Sequence, residues 1–165
     1  MVYIMAFSER GPAMRIMFVC TGNSCRSPMA DLYFNDLCRR ANRPDIDACS
    51  AGICAWDGDR ISRQAAAVMS ANGIDSSNFR STRFTPALAR ECDLLVAMSA
   101  SHRAAMAEIA PSEAGKIRLL LETADVPDPF GGSVEQYEQV FESMRPAIEA
   151  LFQSVAGDGP GETGY

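Results

Sequence analysis

Two patterns of apolar spacing alternate along this chain. Short continuous apolar runs occur at Met14–Cys20, Ile46–Ser50, Asp93–Met98 (through Leu94, Leu95 and Val96) and Lys116–Leu121. Runs of this length bounded by turn residues predict strands buried on both faces. Between them the apolar residues recur every three to four positions. Met29, Leu32, Tyr33 and Leu37 predict a first helix, entered through Ser27-Pro28 as N-cap and first helical residue. Ala65, Val68 and Met69 predict a helix over Ile61–Ala71, closed by Asn72-Gly73. Thr85-Pro86 opens a short helix, Ser101–Ala110 is a further one stopped by Pro111, and Ser133–Phe152 is the longest. Ser133 and Gln136 have capping-box spacing there, and Val134, Tyr137, Val140, Phe141, Met144, Ile148, Leu151 and Phe152 form its apolar stripe.

Strands alternating with helices predict an α/β fold: a three-layer sandwich with a central four-stranded parallel sheet flanked by helices. The 165 residues suit one domain, expected over 14–153. Residues 1–13 read as an N-terminal extension, with Met14 a candidate start, and 154–165 as a disordered tail. No apolar run is long enough to span a membrane and no secretory leader is recognisable, so a cytoplasmic protein with no membrane partner is expected. The net charge of −6 argues against nucleic acid as a partner. Lys116 is the only lysine among 15 basic residues, and arginine suits a planar grip on phosphate. Of the six cysteines, Cys38, Cys49 and Cys92 read as buried thiols; no spacing suits a zinc site. No surface stripe points to an obligate oligomer, so a monomer or weak homodimer is expected.

One segment carries chemistry. In Cys20-Thr21-Gly22-Asn23-Ser24-Cys25-Arg26-Ser27 a cysteine and an arginine stand six positions apart, between a strand and a helix. A loop of this length can curl until successive N–H groups converge on one anion. Gly22 and Asn23 tolerate the positive φ of such a curl. The helix N-terminus adds partial positive charge, and Arg26 offers two parallel donors to phosphate oxygens. These donors, with Ser27 Oγ, would support a thiolate at Cys20 that attacks phosphorus in line. The same groups would stabilise the equatorial oxygens of the transition state. A leaving oxygen needs a proton. Asp128-Pro129-Phe130-Gly131-Gly132 follows a predicted strand and precedes a helix, at the end of the sheet where open α/β folds bind ligands, so Asp128 is the candidate general acid and base. Asp125 is the fallback. Neither metal nor cofactor is called for.

Residues 19–30, Val-Cys-Thr-Gly-Asn-Ser-Cys-Arg-Ser-Pro-Met-Ala, resemble the active-site loop of low-molecular-weight protein tyrosine phosphatases. Ser50-Ala51-Gly52, the strand Asp93–Met98 and Asp128-Pro129-Phe130 recur in that family's order, so the resemblance covers Met14 to Phe152. It implies a phosphotyrosine protein phosphatase I-like fold, hydrolysis of phosphomonoesters on a phosphorylated protein, and Asp128 as the acid. It further implies that Asn23 and Ser50 brace the loop by hydrogen bonds, and that Cys25 can form a reversible disulfide with Cys20. Where many members carry a histidine before the Thr85-Pro86 position, this chain has Asn78-Phe79, and Gly131 stands where an aromatic residue is common.

The leaving group is less tightly specified. Trp56 and Phe130 read as facing walls of a cleft for an aromatic ring, which favours phosphotyrosine. Bacterial arginine phosphatases resemble the chain in Asp-Pro-Phe-Gly-Gly-Ser, and small polar Ser24 would suit a guanidinium, so protein arginine phosphatase is the alternative. A thiol-dependent arsenate reductase shares the loop but needs two later, closely spaced cysteines; after Cys54 only Cys92 remains. A catalytically inactive phosphate-binding module would not require Cys20, Arg26 and Asp128 together. His102 reads as a first-turn helix residue without a catalytic part, and Tyr137 as half-buried.

Overall fold

In the computed structural model, residues 13–157 are described. The order is β1 (Met14–Cys20), α1 (Arg26–Arg40), β2 (Ile46–Gly52), α2 (Arg63–Ala71), α3 (Pro86–Arg90), β3 (Leu94–Ala97), α4 (Ala100–Ile109), a 3-10 turn (Pro111–Lys116), β4 (Ile117–Leu119) and α5 (Val134–Ala156). The strands form one parallel sheet in the order β2-β1-β3-β4. The tail expected to be disordered from 154 is corrected at its start, because α5 continues through Ala156; the rest of that expectation, at 158–165, and the extension expected at 1–12 lie outside the described residues.

Strand β1 is buried on both sides, which explains its unbroken apolar run. Ile16, Phe18 and Cys20 face one core with Met29 and Phe34 of α1, Val68 and Met69 of α2, and Phe141 and Ile148 of α5. Met17 and Val19 face the other, with Ala89 of α3 and Met106 of α4. Three layers result. Because β1 has β2 on one side and β3 on the other, chain direction switches at β1/β3, and the loops after β1, β3 and β4 gather at the strands' C-terminal ends.

The caps follow the chemistry expected of them at Thr85, which accepts from Leu88 N, and at Ser133, where the capping box with Gln136 closes. Pro146 lies inside α5 without ending it. One cap differs. Helix α1 begins at Arg26, with Cys25 as N-cap and no side-chain cap bond; Ser27 sits inside the first turn with its hydroxyl turned to β1. The expected strand over Lys116–Leu121 shrinks to Ile117–Leu119, since Lys116 belongs to the 3-10 turn before it and the last bond to β3 is that of Leu120 N to Ala97 O at 2.9 Å.

Ser50 also differs from expectation. Its hydroxyl donates to Asp31 Oδ2 on α1 at 2.8 Å and makes no bond to the loop after β1; Asn35 donates to Asp31 Oδ1 at 2.8 Å and pairs with both backbone groups of Ala48. Burial pushes the Asp31 carboxyl up to about 7, against the opposing pull of the Ser50 and Asn35 donors. A folded value above the unfolded 3.8 means that the folded state holds the proton more tightly, so stability is full below about pH 4 and is lost as pH rises toward 7. Asp31→Asn is therefore expected to remove a loss of up to about 1.4 kcal/mol per pH unit between roughly pH 5 and 7. Urea midpoints of both proteins across that range check it; parallel curves would count against it.

Candidate active site

The loop after β1 owes its shape to donors outside it. The Cys20 carbonyl accepts from Ile53 N (2.9 Å), that of Thr21 from Cys54 N (2.9 Å), and that of Ser24 from Ser62 N (3.0 Å). In a trans peptide the N–H points opposite to the C=O. With these carbonyls drawn outward, the N–H groups that follow them turn to the inside of the curl, as an anion nest requires. Asn23 carries the positive φ, at 53°, with its side chain fully buried. Its Nδ2 donates to Ser27 Oγ at 2.8 Å and its Oδ1 accepts from Thr82 N at 2.8 Å. Gly22, expected to share the left-handed turn, does not adopt it.

The glycine that matters is Gly52, at the end of β2. A Cβ there would lie 2.5 Å from Thr21 O, 2.8 Å from Asn23 N and 2.9 Å from Ala55 Cβ. Its own N–H donates to Thr82 O at 2.9 Å. The two strand exits thus interlock, and only hydrogen fits between them.

Inside the loop, Cys20 Sγ is 2.9 Å from Ser27 Oγ. Since Asn23 already donates to that oxygen, the hydroxyl proton is left to the sulfur or to the more distant Ala51 O at 3.4 Å. The buried Arg26 donates through Nη1 to Val126 O (3.2 Å) and through Nη2 to Thr21 Oγ1 (3.5 Å), and Nη2 lies 3.7 Å from Asp128 Oδ2. Asp128 Oδ1 accepts from Phe130 N at 3.1 Å, and its side chain is 57 % exposed. A cavity of about 280 Å³ is bounded by Cys20, Thr21, Gly22, Ser24, Cys25 and Arg26 from the loop, and by Asp128 and Phe130 from the other side. Asp125 lies elsewhere: its carboxylate accepts from Ala100 N at 2.9 Å, at the start of α4.

Two expectations, for Trp56 and Tyr137, are corrected, and that for His102 is extended. Trp56 is not among the residues lining this cavity. It stands 77 % exposed on the turn after β2, where its carbonyl accepts from Ser81, so the aromatic wall here is Phe130 alone. His102 is buried in the first turn of α4, with Nε2 2.7 Å from Thr21 Oγ1 and Nδ1 2.8 Å from Ser99 Oγ. Burial, and then the charge of Arg26, hold its imidazole below the ordinary histidine value, so it is neutral at pH 7 and braces the loop through Thr21. Being the one histidine, directly after a strand end that faces the loop, was its sequence signal. Tyr137, expected to be half-buried, is 1 % exposed, and its hydroxyl reaches Cys25 Sγ at 3.2 Å. Burial and Cys25 push that phenol up to about 12. Cys20 and Cys25 are both free thiols, and among the described residues no three His, Cys, Asp or Glu side chains gather as a metal site.

Comparison with known proteins matches the family model described as low molecular weight phosphotyrosine protein phosphatase over residues 15–160. The chain is 33 % identical to a low molecular weight protein-tyrosine-phosphatase of Streptomyces coelicolor, over 86 % of this chain and 93 % of that one. It is 31 % identical to a protein-arginine-phosphatase of Bacillus subtilis, over 88 % and 99 %. Among solved structures, a low molecular weight protein tyrosine phosphatase from T. tengcongensis superposes with a TM-score of 0.82 at 36 % identity, covering 86 % of this chain and 99 % of that one.

Gly52→Ala should force the strand exits apart, costing about 1–3 kcal/mol and lowering turnover of a phosphomonoester by roughly 100-fold. Gly22→Ala, where a Cβ would meet only Ser24 Oγ at 3.6 Å, should melt like the parent. Melting temperatures of both variants, with phosphate release for the first, check the contrast.

Proposed function

Because the chain belongs to the low molecular weight phosphotyrosine protein phosphatase family, we propose that it hydrolyses phosphotyrosine in proteins through a cysteinyl-phosphate. The observation that carries this reading is the convergence of Cys20 Sγ, the Arg26 guanidinium and the Asp128 carboxylate on one 280 Å³ cavity, with Ser27 Oγ 2.9 Å from the sulfur.

In this mechanism the phosphate enters the loop, held by the inward N–H groups and by Arg26. The Cys20 thiolate attacks phosphorus as the P–O bond to the tyrosine ring breaks, and Asp128 gives its proton to the departing phenolic oxygen. Water then attacks the cysteinyl-phosphate with Asp128 accepting its proton, which returns the thiolate and releases inorganic phosphate. The partly exposed Asp128 suits both halves, since it must meet a leaving group and then a water. Ser27 steadies sulfur as charge returns to it, and Arg26 serves the equatorial oxygens throughout. Phe130 offers its face to the ring of the substrate.

Arginine phosphatase activity is the second reading. It is favoured by Ser24 lining the cavity, small and polar, while Trp56 does not. The Bacillus subtilis relative bears that name. The two readings share every catalytic step and differ in what the entrance accepts.

Paired rates on phosphotyrosine and phosphoarginine peptides decide between them. Phosphotyrosine is expected to be hydrolysed faster, with all activity lost in Cys20→Ser and kcat reduced roughly 10²- to 10⁴-fold in Asp128→Asn. Full activity in Cys20→Ser would overturn the mechanism. Faster phosphoarginine hydrolysis that disappears in Ser24→Ile would keep the mechanism and change the substrate.

A further inference from the structure

A second cavity, of about 730 Å³, lies along α2 beside the active site and plays no part in the mechanism above. Its floor is apolar, from Ile61, Ile74 and Phe79, and its rim carries Arg60, Arg63 and Arg80. All three arginines are exposed, and among the described residues none has a carboxylate within salt-bridge distance; Arg80 donates to the carbonyls of Ser77 and Phe79. One acid, Asp75, also lines the groove, its carboxylate accepting from the backbone N–H of Ser77 at 2.9 Å, so three cations stand against one anion. In a chain of net charge −6, this groove is a locally cationic surface.

Its position ties it to the chemistry. Ser62, between Arg60 and Arg63, donates its N–H to the Ser24 carbonyl of the phosphate loop at 3.0 Å. One residue past Arg63, Gln64 donates to the Gly132 carbonyl in the loop that carries Asp128, at 3.1 Å. The start of α2 therefore stands between the two walls of the active-site cavity, and the groove leads away from it along α2 to Ser70. Nine helical residues rise roughly 13 Å, the span of about four residues of extended chain.

We infer that this groove receives the segment flanking the phosphorylated residue of a protein substrate, and that Arg60 and Arg63 select acidic side chains within it. The inference rests on the phosphatase reading and adds the class of substrate sequence. An extended peptide with its phosphate in the loop places residues roughly two to five positions away over the groove. Apolar stems in that segment meet Ile61, Ile74 and Phe79, while carboxylates meet the rim. Exposed pairs of this kind are individually weak and salt-sensitive, so discrimination is modest and rests on several together.

The test uses two phosphotyrosine peptides, alike except that one carries Asp and Glu and the other Asn and Gln at those flanking positions. At low salt the parent enzyme should prefer the acidic peptide roughly three- to tenfold in kcat/KM, carried by KM. The preference should shrink at about 0.5 M salt. It should vanish in the double variant Arg60→Gln, Arg63→Gln, whose rate on a small aryl phosphate stays at the parental value. Binding of both peptides to Cys20→Ser, followed by fluorescence anisotropy, should give the same ratio without turnover. No preference in the parent, or a preference that survives in the double variant, overturns the inference. Failure to hydrolyse the aryl phosphate would overturn the phosphatase reading instead, and the anisotropy ratio would still decide the groove.

Discussion

The close approach of two strand exits is the constraint on which the rest of the site depends. Where β2 ends at Gly52, the backbone lies so near Thr21 and Asn23 that a methyl group has no room. That proximity brings the N–H groups of Ile53 and Cys54 within reach of the loop's carbonyls. The nest is thus preorganised by its neighbours rather than by phosphate, and binding an anion does not have to meet the cost of curling the loop. Asn23 completes the frame from inside, in a left-handed conformation that asparagine tolerates better than most residues.

Charge is arranged around this frame with the cation buried and the Asp128 carboxylate exposed. Arg26 is the first residue of α1, so its backbone belongs to the helix terminus that favours an anion while its side chain curls back over the loop. It is held by Val126 O on one side and Thr21 Oγ1 on the other. Thr21 in turn meets the neutral His102, which meets Ser99, so the cation's position is transmitted to the first turn of α4. Layer by layer, each element that delivers a functional group is anchored to an element that does not react.

What could be read beforehand divides along physical lines. The four strands, the helices and the sandwich followed from apolar spacing, because burial on both faces of β1 leaves an unmistakable run, and Ser133 and Thr85 announced their caps. The segment 20–27 and Asp128 could be picked out as well, since the residue types themselves are chemical. Less legible was anything decided by which way a side chain turns. Ser27 looked like a cap because it precedes proline, yet the helix starts earlier and the hydroxyl serves the sulfur. Ser50 was assigned to the loop and instead satisfies a buried carboxyl. Trp56 was placed in the cleft by proximity in sequence, and the turn it rides on carries it outside the cavity lining. His102 and Tyr137 reach the loop from 81 and 112 residues away; a lone histidine after a strand end hinted at the first contact, and no local pattern encodes the second.

The segment bearing Asp128 is fastened at both ends. Val126 N donates to Met98 O at 2.8 Å, and the capping box seals Ser133 onto α5. Only the residues 127–132 lie between, and two of them are proline. So short a tether stores little slack. Asp128 rides a short bracket, its range set by rotation about a few bonds near the glycines. The carboxylate thus stands exposed at the mouth of the cavity, where a side chain still attached to a folded protein can meet it without being enclosed.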